Sequence, residues 1–194
     1  MVLTFEELAR EIRARPARLG SVRLVAVDGP GGAGKSVFAR RLSRALGGAP
    51  ILETDDFASW DTRHKWWPRL EAEALEPLAA GRTARYERSR WAPTQPVEWR
   101  DVAPAEVVIL EGVSSGREAV RDRLSYLVWI ETPAARRLAR GIERDGEAQR
   151  SDWELWMREE DEFFGRDDVP SRADLIVDGN PAAAHDPECE VVLA

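Results

Sequence analysis

Residues 29–36 read Gly-Pro-Gly-Gly-Ala-Gly-Lys-Ser and stand between two segments of different periodicity. Before them, Val22–Val27 is a short and almost wholly apolar run, the pattern of a strand buried on both faces. After them, Lys35–Leu46 carries the spacing of a helix. A buried strand that passes through glycines directly into a helix leaves few folds open. Glycine admits backbone conformations that turn successive N–H groups inward around an anion, and the helix directs its positive end at the same point. The spacing matches GxxxxGK[ST] at every fixed position, so Gly29, Gly31, Gly32, Ala33, Gly34, Lys35, Ser36 and Val37 are expected to cradle the phosphates of ATP. Lys35 should reach the β- and γ-phosphates, and Ser36 should offer its hydroxyl to Mg²⁺.

The remaining chain repeats this alternation. Further apolar runs lie at Ile51–Leu52, Val107–Leu110, Tyr126–Ile130 and Leu175–Val177. Helical stretches separate them at Lys35–Leu46, Lys65–Ala80, Arg117–Leu124, Pro133–Arg144 and Trp153–Phe164. An opening helix over residues 4–15 is marked by the capping box Thr4…Glu7 with Leu3 and Leu8 placed as a staple. Two more capping boxes, Ser115…Glu118 and Ser151…Glu154, mark the starts of the 117–124 and 153–164 helices. Strands alternating with helices imply a mainly parallel, five-stranded sheet with helices on both faces, a three-layer α/β/α sandwich of the P-loop NTPase class. Residues 82–101, rich in Pro, Arg and Trp, break the rhythm and read as an inserted hairpin or loop arm. At 194 residues the chain fits a single domain.

Composition narrows the partners. A net charge of −7 argues against nucleic acid, which requires clustered positive charge. No apolar run approaches the roughly 18–20 residues needed to cross a bilayer, so no membrane partner is expected. The N-terminus lacks signal-peptide character, and the single cysteine, Cys189, allows no intrachain disulfide. A cytoplasmic protein is expected, with a homo-oligomer among the arrangements the sequence allows. Lysine occurs only at 35 and 65 in a chain otherwise served by arginine, which makes the lysine of the glycine-rich loop informative.

In α/β proteins ligands gather at the carboxyl ends of strands. Glu111 ends the run Val107–Leu110 and is expected at the magnesium site. Asp55 and Asp56 follow the second strand, and either could accept the proton of an attacking hydroxyl. Arg137, Arg140 and Arg144 are spaced i, i+3, i+7 and share a helix face.

From about Val22 to Gly179 the chain resembles the uridine kinase family of P-loop small-molecule kinases, in particular its divergent bacterial members. The likeness is carried by the P-loop, Asp55-Asp-Phe57, Trp60-Asp61, Gly81-Arg-Thr83, Ala103–Gly112 and Ala173–Gly179. The resemblance implies a nucleoside- or nucleotide-kinase-like fold with Asp55 as catalytic base and Asp61 gripping ribose hydroxyls. It also implies a lid over residues 144–152, with Arg150 at its tip, and arginines from this region, among Arg137, Arg140, Arg144 and Arg150, that close on the transferring phosphate. The chain departs from the family in the arm, where Ser89-Arg-Trp91 stands in place of a Tyr-Asp-aromatic motif and Thr94 falls near a pyrimidine-reading histidine. Trp91 is the candidate pocket wall. Trp153, Trp156 and Phe164 read as core, and Glu159–Glu162 as a solvated helix face.

These readings converge on an ATP- and Mg²⁺-dependent kinase of a small molecule bearing a hydroxyl acceptor, a nucleoside or something like one. Its rivals are a kinase of another hydroxylated metabolite, such as a sugar, vitamin precursor or antibiotic, and a non-metabolic nucleotide switch. The absence of an NKxD-type motif and the candidate base speak against the switch.

Overall fold

The computed structural model describes residues 1–59, 66–90 and 94–194. The chain enters through a short strand, β1 (Val2–Thr4), and turns at once into helix α1 (Phe5–Ala14). The expected capping box makes that turn. Thr4 Oγ1 accepts from the Glu7 N–H at 3.2 Å, and the Glu7 carboxylate accepts from the Thr4 N–H at 2.9 Å. These reciprocal bonds satisfy donors that a first helical turn otherwise leaves open.

The chain then alternates strand and helix: β2 (Arg23–Asp28), α2 (Lys35–Ala45), β3 (Ile51–Glu53), a helix over residues 67–79, the hairpin β4 (Ala84–Glu87) and β5 (Trp99–Val102), β6 (Val107–Glu111) and β7 (Leu124–Glu131). Helices α5 (Ala134–Asp145) and α6 (Arg150–Asp167), β8 (Leu175–Asp178) and β9 (Glu190–Val192) complete it. All five apolar runs expected as strands join one sheet in the order β3-β6-β2-β7-β8, every neighbouring pair parallel. Successive strand side chains point to opposite faces. Leu24, Ala26, Leu52 and Leu110 therefore meet the 67–79 helix and the hairpin on one side. Val25, Val27, Ile109 and Val128 meet α1 and α2 on the other. This is the three-layer sandwich the alternation called for.

Three local expectations fail. Residues 118–123 form a 3-10 turn rather than a helix to Leu124, and Leu124 already belongs to β7. The Ser115…Glu118 capping box is not made, because the Glu118 N–H bonds the Asp167 carboxylate at 3.2 Å instead. Helix α6 begins at Arg150 behind a 3-10 turn, so Ser151 lies inside it and caps nothing. The 67–79 helix is interrupted by a π turn at Glu71–Leu75, between α3 (Trp67–Leu70) and α4 (Glu76–Ala79). Pro77 lies just beyond; it has no N–H to give and its ring crowds the preceding turn, so the helix widens there. Its expected start at Lys65 lies outside the described residues.

The arm of residues 82–101 contains the hairpin, with Ala84 opposite Val102. β1 pairs antiparallel with β9 and draws the final residues against β8, a closure that no local pattern announces. No helix among the described residues is long and apolar enough to cross a membrane.

Candidate active site

Each of the five parallel strands ends on an acidic residue, Asp28, Glu53, Glu111, Glu131 or Asp178, at the same edge of the sheet. The glycine-rich loop crosses that edge between β2 and α2. Gly32 sits at φ 76°, and a Cβ there would come within 2.7 Å of the Arg137 carbonyl oxygen. Backbone conformation and lack of space both require glycine. Gly34 caps α2 without a side chain, leaving the first N–H groups of an 11-residue helix directed at the loop. Lys35 is buried, and its ammonium donates to the Pro30 carbonyl at 2.9 Å, folded back along the loop. Val37 is exposed at the loop's outer rim.

Ser36 and Glu111, 75 residues apart in sequence, meet here: the hydroxyl donates to the carboxylate at 3.2 Å. Burial pushes the Glu111 carboxyl up to about 7 against the pull of Lys35 and Ser36, with Asp55 and Glu53 adding to the rise. The wholly buried Asp28, whose charge Lys35 also favours, accepts from the N–H groups of Gly29, Ser114 and Gly116 at 2.7, 2.9 and 2.8 Å. It thereby joins the P-loop to the loop after β6. Asp28 stands directly before the first glycine, and that adjacency was the signal for it.

The adjacent aspartates after β3 part company. Asp55 is exposed toward the acidic edge. Asp56 is buried, where it accepts from the Tyr86 hydroxyl at 3.1 Å and pairs with Arg88 at 2.7 Å, while its carbonyl accepts from the Ser89 N–H at 2.6 Å. Asp56 fastens the arm to the sheet. Asp61 and Trp91 lie outside the described residues.

The arginines of α5 serve different places. Arg137 is buried, donates to the Thr132 carbonyl and lies 3.5 Å from Glu160. Arg140 donates to the carbonyls of Gly32 and Ala33 in the P-loop and of Gly179 after β8. Arg144 pairs with Asp145, lies over the Trp153 ring at 5.3 Å, and also feels the field of Asp55. Arg150 is exposed and pairs with Glu147 at 2.6 Å. The acidic stretch on α6 corrects the sequence reading. Glu160 is not solvated: it is fully buried and accepts from the Gly31 N–H at 2.9 Å. Trp153, Trp156 and Glu160 lie at i, i+3, i+7, so the aromatic spacing had already marked the face that carries it.

The sheet runs in the order β3-β6-β2-β7-β8 with the GxxxxGKS loop leaving its central strand, and solved structures share the fold. A Bacillus stearothermophilus protein described as a possible uridine kinase superposes with a TM-score of 0.65 at 19% identity, over 89% of this chain and 96% of its own. The fold is that of the P-loop NTPases. A Silicibacter protein provisionally described as a fructose transport system kinase gives 0.53 at 20% identity, over 77% of this chain and 87% of its own. Shikimate kinase from Acinetobacter baumannii gives 0.51 at 17% identity, over 93% and 90%. No protein-family model matches the chain, and no curated sequence does.

One cleft opens on the P-loop and another lies in the arm. The first, of about 540 Å³, runs from Ala33, Gly34 and Val37 past Arg140 to Asn180, Pro181 and His185. The other, about 690 Å³, lies in the arm and is lined by Arg69, Arg85, Arg88, Arg90 and Trp99. The first cleft lies beside the start of α2, and the second is lined by Tyr86, Arg88 and Ser89, the residues that bond Asp56.

Proposed function

We propose that this chain is an ATP-dependent kinase that transfers the γ-phosphate to a hydroxyl of a nucleoside or nucleoside-like small molecule. The observation that carries the reading is the meeting of Ser36 and Glu111 at 3.2 Å beside the P-loop, with Asp55 acting electrostatically on the same carboxylate. That the three similar structures named above are described as kinases, two of them provisionally, supports it.

The donor's phosphates lie along the P-loop N–H groups and Lys35, and its nucleoside end lies in the cleft between Val37, Arg140 and Asn180. Ser36 and Glu111 are two hard oxygen donors, the kind that suits Mg²⁺. No cluster of three or more His, Cys, Asp or Glu that could hold a metal is found among the described residues. Ser36 and Glu111 would hold a Mg²⁺ ion, which would supply positive charge against that of the donor's phosphates. The acceptor enters from the arm side. Its hydroxyl gives its proton to Asp55 while the oxygen bonds the γ-phosphorus and the bond to the β–γ bridging oxygen breaks. Residues 144–152 act as a lid, with Arg144 within the field of Asp55 and Arg137 beside the loop.

The arm cleft favours a second reading of the acceptor only. Arg69, Arg85, Arg88 and Arg90 suit an oxygen-rich sugar, vitamin precursor or antibiotic as well as a nucleoside. One experiment tests both: protein and Mg-ATP with a panel of nucleosides, sugars and other hydroxylated metabolites, read by mass for an added phosphate, with Lys35→Met as control. If no acceptor gains phosphate while a protein partner binds only the ATP form, the kinase reading gives way to a nucleotide switch.

A further inference from the structure

Helix α6 is 18 residues long, yet its single fully buried side chain is a carboxylate, Glu160. That carboxylate accepts from the Gly31 N–H with both oxygens, at 2.9 and 3.0 Å, and from the Trp156 indole N–H. The Arg137 guanidinium stands 3.5 Å away, and the charge of Lys35 acts on it as well. Burial pushes the Glu160 carboxyl up against those four attractions. The approach is close: a Cβ on Gly31 would lie 3.0 Å from Glu160 Oε1 and 3.3 Å from the rings of Trp153 and Trp156. An anion from α6 thus uses a P-loop donor and two cations that would otherwise serve a phosphate.

We infer that Glu160 is a built-in competitor for the phosphate cradle, latching α6 onto the P-loop so that a triphosphate must displace it to bind. This rests on the triphosphate reading of the loop. Two anions cannot share the Gly31 N–H and the surrounding positive charge, because each raises the cost of the other where burial weakens screening by water. Arg137 Nη1 is buried without a hydrogen-bond partner among the described residues, so release of Glu160 frees a cation already placed at the loop. Displacement therefore couples nucleotide arrival to movement of the helix that follows the proposed lid.

The test compares wild type with Glu160→Gln and Glu160→Ala by calorimetric titration with inorganic tripolyphosphate and with ATP. Both variants should bind each probe more tightly, by about 10- to 100-fold, the equivalent of one charge-assisted set of buried hydrogen bonds. Unchanged or weaker binding by correctly folded variants overturns the latch and makes Glu160 a support of the loaded state. Should the variants fail to fold, wild-type emission decides. Saturating tripolyphosphate should shift tryptophan fluorescence, and Trp156→Phe should remove that shift. Calorimetric binding with no such shift overturns the proposal. Binding by neither wild type nor variants overturns the triphosphate reading beneath it, a result distinct from wild-type binding that the variants do not improve.

Discussion

Asp55 and Asp56 are neighbours in sequence with opposite expected responses to substitution. Asp56→Ala leaves the Tyr86 hydroxyl, on a residue 2% exposed, without its acceptor. A buried polar group so orphaned costs about 1–3 kcal/mol. The same change breaks the Arg88 pair, but Arg88 is 37% exposed and water recovers it, so that loss is about 1 kcal/mol at most. The expected destabilisation is about 1–4 kcal/mol, roughly 2–16 °C in Tm for a domain of this size. Tyr86→Phe removes only the hydroxyl and should cost about 1 kcal/mol, less in the Asp56→Ala background than alone, because the two act through one bond. Asp55→Asn, at an exposed position, should stay within about 0.5 kcal/mol of wild type and still bind ATP, yet lose phosphate transfer. Urea melts followed by circular dichroism give the stabilities, and the mass-detected transfer assay gives the activity. The reasoning is refuted if Asp55→Asn is the destabilised variant, or if Asp56→Ala melts like wild type.

Glu111→Gln should leave ATP binding without metal nearly intact but weaken its enhancement by Mg²⁺ about tenfold or more, read by titrating Mg²⁺ into the ATP complex. Asp28 is held up to about 7 because burial outweighs its three N–H bonds and Lys35. The folded protein therefore binds the extra proton between about pH 4 and 7, and the stability contributed by this group falls as pH rises through that window. Denaturation midpoints of wild type should decline over that range more steeply than those of Asp28→Asn, and parallel curves would contradict it.

Much of this architecture could be read from short stretches of chain. Val22–Val27 and Val107–Leu110 are apolar at nearly every position because parallel strands under helices are buried on both faces, and such runs need no distant information. The Thr4…Glu7 box formed because all of its bonds lie within one turn. Ser115…Glu118 follows the same capping pattern, but the chain must enter β7 immediately, and Asp167 from α6 took the N–H that the box required. Glu160 was misread for a related reason. A run of acids looks solvated until the helix bearing it is laid on a loop 129 residues earlier.

The sequence by itself determined that a buried strand runs through Gly29–Ser36 into a helix, and that five strands must stack in parallel. Those properties follow from local backbone freedom and hydrophobic period. Only the tertiary structure decided that Ser36 meets Glu111, that Asp56 fastens the arm while Asp55 faces the edge, and that a carboxylate from α6 sits on the P-loop. The reason is physical: whether a charged side chain is solvated or buried depends on what packs over it, and the elements that cover Glu160 and Asp56 come from elsewhere in the chain.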